Sequence, residues 1–319
     1  MRAFACPTCG QLVVFENSTC LRCGTALAFD PVALDVVAAD VPCPNLDVIG
    51  CNWVAPEPGE LCRCCALTRT RPSDDDPAAL AAWADAERAK RRLVFQLLTL
   101  RVPLHGLAFD LLSSAGEPVT TGHEDGVITI DLAESDDAHR EAVRQSLGEP
   151  YRTMLGHLRH EVGHFAWMVL VDGRPAIDEF RTLFGDERAD YGSALQVHYD
   201  GAGGAPWQDT HVTAYAAAHP WEDWAETFAH YLHVRDTLET AAAYGVIVGG
   251  PHGVGELTAA PVPDAERLPI DALLDEWLPL TYALNALNRS MGSGDLYPFV
   301  LSPRVVAKLG FVHDLVRVL

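Results

Sequence analysis

All nine cysteines of this 319-residue chain lie before residue 66, and that confines what its N-terminal part can fold into. Two pairs have the spacing Cys6-x2-Cys9 and Cys20-x2-Cys23, each followed at once by glycine, Gly10 and Gly24. A tetrahedral zinc ion wants four thiolates converging from two tight turns, and glycine supplies the unusual backbone angles just past each pair. Iron is the second choice for such a site. A looser set follows in Cys43, Cys51, Cys62 and Cys65, where Cys62-x2-Cys65 repeats the spacing and leaves Cys64 as a spare thiol. Its alternative reading is a group of buried free thiols. Four thiolates leave no open position on a metal, so both sites are expected to be structural. Bound metal then lets residues 1–68 fold as a zinc-ribbon module without a large apolar core.

Met1–Ala5 runs straight into Cys6, with no room for the apolar stretch of a signal peptide. The apolar run Phe165–Val171 is too short to span a bilayer. A cytoplasmic location is therefore expected, where clustered thiols bind metal rather than pair as disulfides. The net charge is −21. Residues 1–95 hold 9 Lys/Arg against 12 Asp/Glu, and residues 96–319 hold 14 against 32. Neither part offers a basic surface, so neither nucleic acid nor an anionic membrane is expected as a partner. The short basic cluster Arg88, Lys90, Arg91 and Arg92 reads as a solvated helix face.

Beyond the cysteines, residues 69–78 read as an exposed linker, with Asp76 placed to cap a helix that Pro77 opens. That helix is expected from about Ala78 to Leu100. Gln11–Glu16, Gly106–Ser113 and Gly126–Leu132 read as strands, the last rich in β-branched residues after the Asp125-Gly126 turn. Further helices are expected near 137–146, 151–171, 186–198, 220–232, 270–291 and 303–318. The fold class is α+β: a mostly helical domain over 79–319 with a small antiparallel sheet above its central helix. The strand Gly126–Leu132 is a candidate edge for binding extended peptide by strand addition.

The chemistry concentrates at His160-Glu161-Val162-Gly163-His164. On a helix, positions i and i+4 share a face, so both imidazoles can reach one metal while Glu161 stands beside the water it activates. Leu155, Leu158, Val162, Phe165 and Val169 recur at helical intervals and bury that helix. Gly163 permits close packing of another segment. The five-residue pattern is short, so a third ligand decides its meaning. Neither the longer metzincin continuation nor the inverted H-x-x-E-H order is present. A downstream helix opening at Pro220 carries Glu222 and Glu226 on one face among Trp221, Trp224, Ala225, Phe228 and Leu232. Two carboxylates on an apolar helix are costly to bury unless paired. Glu222 is assigned as third ligand and Glu226 as the acid holding a histidine through its other N–H. Asp223, Glu187 and His198 are rival ligands. Tyr215 is a candidate for stabilising an oxyanion, with His211 and His219 as alternatives and a core tyrosine as the plain reading.

With these residues placed, the chain resembles a bacterial family of zinc-binding metallopeptidases that carry an N-terminal zinc ribbon. The matching stretches are CPTCG, CLRCG, CNWV, LCRCCALTRT, HLRHEVGHF, FRTLFGDERADY and HPWEDWAETFAHYLH, which span nearly the whole sequence. The E-x-x-x-E after H-E-x-x-H is similar to the gluzincin pattern. The resemblance implies a zincin fold with Glu222 as zinc ligand, Glu226 as the supporting acid and Tyr215 as the oxyanion-stabilising phenol. It implies one catalytic zinc with two structural ones, and hydrolysis of a peptide or protein by zinc-activated water with Glu161 as general base. The competing reading is a catalytically inactive zincin-fold scaffold whose ribbon recruits a protein partner.

Overall fold

The computed structural model describes residues 2–136, 138–141, 152–200, 206–251, 257–263 and 267–319. They form two compact units, Met1–Leu158 and Arg159–Leu319. The helix expected near 137–146 falls largely outside the described residues. Among those residues, no helix is long and apolar enough to cross a membrane.

In the first unit each cysteine pair closes a tight turn, with Gly10 N–H donating to Cys6 O and Gly24 N–H to Cys20 O, both at 2.9 Å. Both glycines take the left-handed backbone that the sequence reading required, at φ 69° and 74°. The turns bring Cys6 Sγ to 3.7 Å from Cys23 Sγ, and Cys9 Sγ to 3.7 Å from Cys20 Sγ. In the second set Cys51 Sγ lies 3.6 Å from Cys62 Sγ and 3.5 Å from Cys65 Sγ. These separations are too long for a disulfide. They suit thiolates on the corners of a tetrahedron with zinc–sulfur bonds of about 2.3 Å. Cys43, Cys51, Cys62 and Cys65 make the second group, and Cys64 is not part of it. Cys64 is instead buried near Lys90 and Glu87, and burial pushes its thiol above the ordinary range.

The ribbon is made of two hairpins, β1 (Phe4–Ala5) with β2 (Leu12–Val13) and β3 (Leu27–Asp30) with β4 (Asp35–Ala38), followed by the short α1 (Leu46–Ile49). Phe4, Phe15, Phe29 and Trp53 meet in one aromatic cluster, and Phe95 of α2 (Pro77–Thr99) joins it. Asp76 caps α2 by accepting from Ala79 N–H at 3.0 Å, with Pro77 at its first position, as the sequence indicates.

The basic cluster on α2 differs from its sequence reading. Lys90 is fully buried and pairs with the equally buried Glu87 at 2.7 Å, while Thr68 and Trp83 also hydrogen-bond Glu87. Arg91 is buried and reaches Ile49 O, and Arg92 pairs with Glu16 at 2.6 Å. Lys90 and Arg91 are covered, while Arg88 and Arg92 keep partly exposed side chains.

The sheet of this unit has the order β5 (Thr68–Thr70), β6 (Ala108–Leu112), β8 (Val127–Asp131), β7 (Gly122–Glu124). The antiparallel pairing expected is present between β7 and β8, while β5–β6 and β6–β8 run parallel. The expected edge strand is therefore interior: β8 is flanked by β6 and β7, which leave it no free side. The first residues of the expected linker belong to β5.

The helix α3 (Met154–Leu170) begins in the first unit and carries His160 and His164 in the second. The described residues of the second unit add the helices α4 (Ile177–Phe184), α5 (Tyr191–Tyr199), α6 (Pro220–Ala243), α7 (Ile270–Ser290) and α8 (Pro303–Arg317). α6 runs well past Leu232 because Val234, Leu238 and Ala241 continue its buried stripe. That stripe packs with Leu273, Leu274, Trp277, Leu280 and Tyr297. The helix expected over 186–198 starts only at Tyr191. Asp186 and Arg188 close a turn on each other at 2.7 Å, and Asp190 is the cap, accepting from Ser193 N–H.

The thiolate geometry generates a direct comparison. Cys65→Ala is expected to lower the zinc content of the purified protein by one equivalent, and Cys64→Ala to leave it unchanged, as read by elemental analysis. Equal losses in the two variants would reject the ligand assignment.

Candidate metal centre

α3 places His160 and His164 one turn apart on the face that meets α6. The two helices touch at backbone distance. A Cβ on Gly163 would stand 2.9 Å from Ala225 Cα and 3.0 Å from its carbonyl oxygen. Trp224 Nε1–H donates to Gly163 O at 2.8 Å and fixes the crossing. The start of α6 is pinned as well. His219 caps it, its Nδ1 accepting from Trp221 N–H at 3.1 Å while its Nε2–H donates to Ala189 O at 3.1 Å. Glu222 is thus delivered in the first turn of α6, fully buried, in front of both imidazoles.

Its Oε2 lies 3.0 Å from His160 Nε2 and 3.6 Å from His164 Nε2. One donor atom from each of the three residues falls within 4.8 Å of the others. His160 Nδ1 is 2.7 Å from Glu226 Oε1, and Glu226 Oε2 accepts from the Thr213 hydroxyl at 2.8 Å. With Nδ1–H given to Glu226, the neutral ring turns a lone pair toward Glu222. Glu222 Oε2 is itself buried without a hydrogen-bond donor. Two lone pairs facing each other out of water repel unless a cation lies between them. The edges of a tetrahedron with bonds of about 2.0–2.1 Å are about 3.3–3.4 Å long, between the two separations seen here. Two imidazoles and one carboxylate are also the donor set of a zinc site with an open fourth position. The residues fit the metal.

Electrostatics say the same about the protonated protein. Burial works against a charged His160, yet the carboxylates of Glu222 and Glu226 overcome it and raise its pKa well above the ordinary value. Burial likewise opposes ionised Glu222, and His160 and His164 overcome it and hold the carboxyl far below its usual range. The pocket is built to hold positive charge. Glu161, next to His160 on α3, is buried, and its charge is felt at the Tyr191 hydroxyl.

The rival ligands are engaged elsewhere. Asp223 pairs with Lys308 at 2.5 Å, Glu187 takes Arg181 at 2.5 Å, and His198 packs edge-on against Tyr215. His219 is committed to its cap. His211 stands beside Asp223 at 3.6 Å, and burial, with Lys308 and Arg304, pushes its pKa down to about 4. Tyr215 has its ring centroid 5.8 Å from that of His160. Three neighbours of the centre were given no role there by the sequence reading: Tyr191, whose hydroxyl donates to Glu222 Oε1 at 2.7 Å; Thr213 under Glu226; and Trp221, whose ring lies 4.3 Å from His164. Tyr191 ends the string FRTLFGDERADY, which was a signal. Thr213 has no such marker.

Residues 79–315 match the family described as "Putative zinc-binding metallo-peptidase", and residues 3–42 match a zinc-ribbon domain. This chain belongs to that metallopeptidase family. Uncharacterized proteins of Mycobacterium bovis and Mycobacterium tuberculosis are 50% identical to it over 332 residues, covering 99% of this chain and 95% of each relative. No solved structure matches it. The family match includes three of the sheet's four strands, both helices of the candidate centre and everything between them, so it runs through both compact units.

Backbone contact at the crossing makes Gly163→Ala a sensitive probe. Alanine is the better helix former by about 0.8–1.0 kcal/mol. The collision with Ala225 is nevertheless expected to destabilise the protein by about 1–3 kcal/mol. Urea denaturation measures it, and a variant at least as stable as wild type would contradict the close approach.

Proposed function

We propose that this metallopeptidase-family protein hydrolyses peptide or amide bonds, with one zinc held by His160, His164 and Glu222 and two held by the four-cysteine sites. The observation that carries the reading is the convergence of Glu222 Oε2 on both imidazole Nε2 atoms, with no hydrogen-bond donor of its own. The sequence order H-E-x-x-H with a later E-x-x-x-E, the gluzincin arrangement, supports it.

Zinc bound there would supply a Lewis acid that polarises the scissile carbonyl and brings water's pKa toward neutrality. The chain supplies the rest. Glu161 takes a proton from the attacking water and returns it to the departing amine. Glu226 holds His160 by Nδ1–H, which fixes the tautomer and raises the basicity of Nε2. Thr213 occupies the second oxygen of Glu226, so the carboxylate cannot rotate away from the ring. Tyr215, against His160, is the phenol assigned to the developing oxyanion. The closed four-cysteine sites contribute to the fold and take no part in this chemistry.

Glu161→Gln separates binding from hydrolysis. The variant is expected to keep all three equivalents of zinc and to lose roughly 10²–10⁴-fold in cleavage, the usual weight of a general base. Digestion of a peptide library followed by mass spectrometry, with and without chelator, reads this out. A variant that cleaves like wild type overturns the mechanism. A zinc-loaded wild type that cleaves nothing in the library would favour the scaffold reading.

A further inference from the structure

The string FRTLFGDERADY has no part in the chemistry above, although it lies between the two metal-facing helices. Its residues are tied down at several points. Arg181 forks onto Glu187 through Nε and Nη2, at 3.0 and 2.5 Å. Gly185, at φ 107°, lies so close to Pro220 that a Cβ there would meet Pro220 Cγ at 3.1 Å. Ala189 O accepts from the same His219 that caps α6. Asp190 then caps α5, and Tyr191 is its first residue. The chain therefore meets the start of α6 at two points, Gly185 against Pro220 and Ala189 against His219. Tyr191 stands edge-on to His219 and Trp221, with ring centroids 5.2 and 6.0 Å apart, and its hydroxyl donates to Glu222 Oε1 at 2.7 Å.

A carboxylate can offer a metal one oxygen or two. Oε2 of Glu222 faces the imidazoles, and Oε1 is occupied by a phenol. We propose that Tyr191 is a positioning residue that restricts Glu222 to a single donor oxygen, and that the 180–191 segment is the brace that holds the phenol in place. This rests on the metal centre proposed above. Tyr191 withholds the second oxygen and so preserves an open position for water or a substrate carbonyl. It also lowers the charge that Oε1 would otherwise present to an entering carbonyl. A side-chain hydrogen bond to a metal-binding group has a recognised effect: its loss costs metal affinity about 10–100-fold.

Tyr191→Phe removes the hydroxyl and keeps the ring that packs on His219 and Trp221. The full-length protein is treated briefly with chelator to clear the open site and then titrated with zinc or cobalt against a chromophoric competitor. The variant is expected to bind the third equivalent about 10–100-fold more weakly. Its cobalt form should show weaker visible absorption than wild type, because a second carboxylate oxygen moves the ion away from tetrahedral geometry. Far-UV circular dichroism and the zinc of the four-cysteine sites should be unchanged. A variant that matches wild type in both affinity and cobalt spectrum overturns the role of Tyr191. A wild-type protein that takes up no third equivalent overturns the metal centre itself, so the two failures are distinct.

Discussion

A carboxylate buried in front of two imidazoles is the interaction on which the second unit depends. Glu222 is fully excluded from water, and a charge in that position is tolerated only where positive charge meets it. The neighbouring groups serve that requirement. Glu226 and Thr213 set the orientation of His160, Tyr191 occupies the spare oxygen, and His219 fixes the turn from which Glu222 projects. In the protein without a cation there, the carboxylates of Glu222 and Glu226 raise the pKa of His160 well above its ordinary value against the burial of the ring.

The parts of this site that could be read from the sequence are those that share a helix. His160, Glu161 and His164 come from one turn, and Glu222 and Glu226 from another, so a spacing of four announces each set. The cysteine sets are legible for a similar reason: two tight turns with a glycine after each leave little freedom. The contacts of Tyr191 and Thr213 were not legible because their partners lie in a different element, 31 and 13 residues away. No local period encodes a contact of that kind. The late start of α5 has the same origin. The sequence from Asp186 supports a helix, but Asp186 and Arg188 satisfy each other in a turn, and the capping role passes to Asp190.

In the first unit the misread features also came from long-range pairing. Lys90 and Arg91 look like solvated charges along α2 until the ribbon covers them, when Glu87, Thr68 and Ile49 O become their partners. The strand Val127–Asp131 has the composition of a good edge or centre. Its place was decided by Gly122–Glu124 and Ala108–Leu112, neither of which shows its pairing in its own residues. Helical spacing picked out the helices that carry the candidate site, whereas strand order needed the fold.

At the crossing of α3 and α6, main-chain atoms are in contact, because Gly163 has no side chain to interpose. The bite between the imidazoles and Glu222 is therefore set first by peptide geometry, and Trp224, against which Phe180 and Phe228 pack, holds that crossing. The constraint on that spacing falls on position 163, where any side chain would run into the backbone of α6.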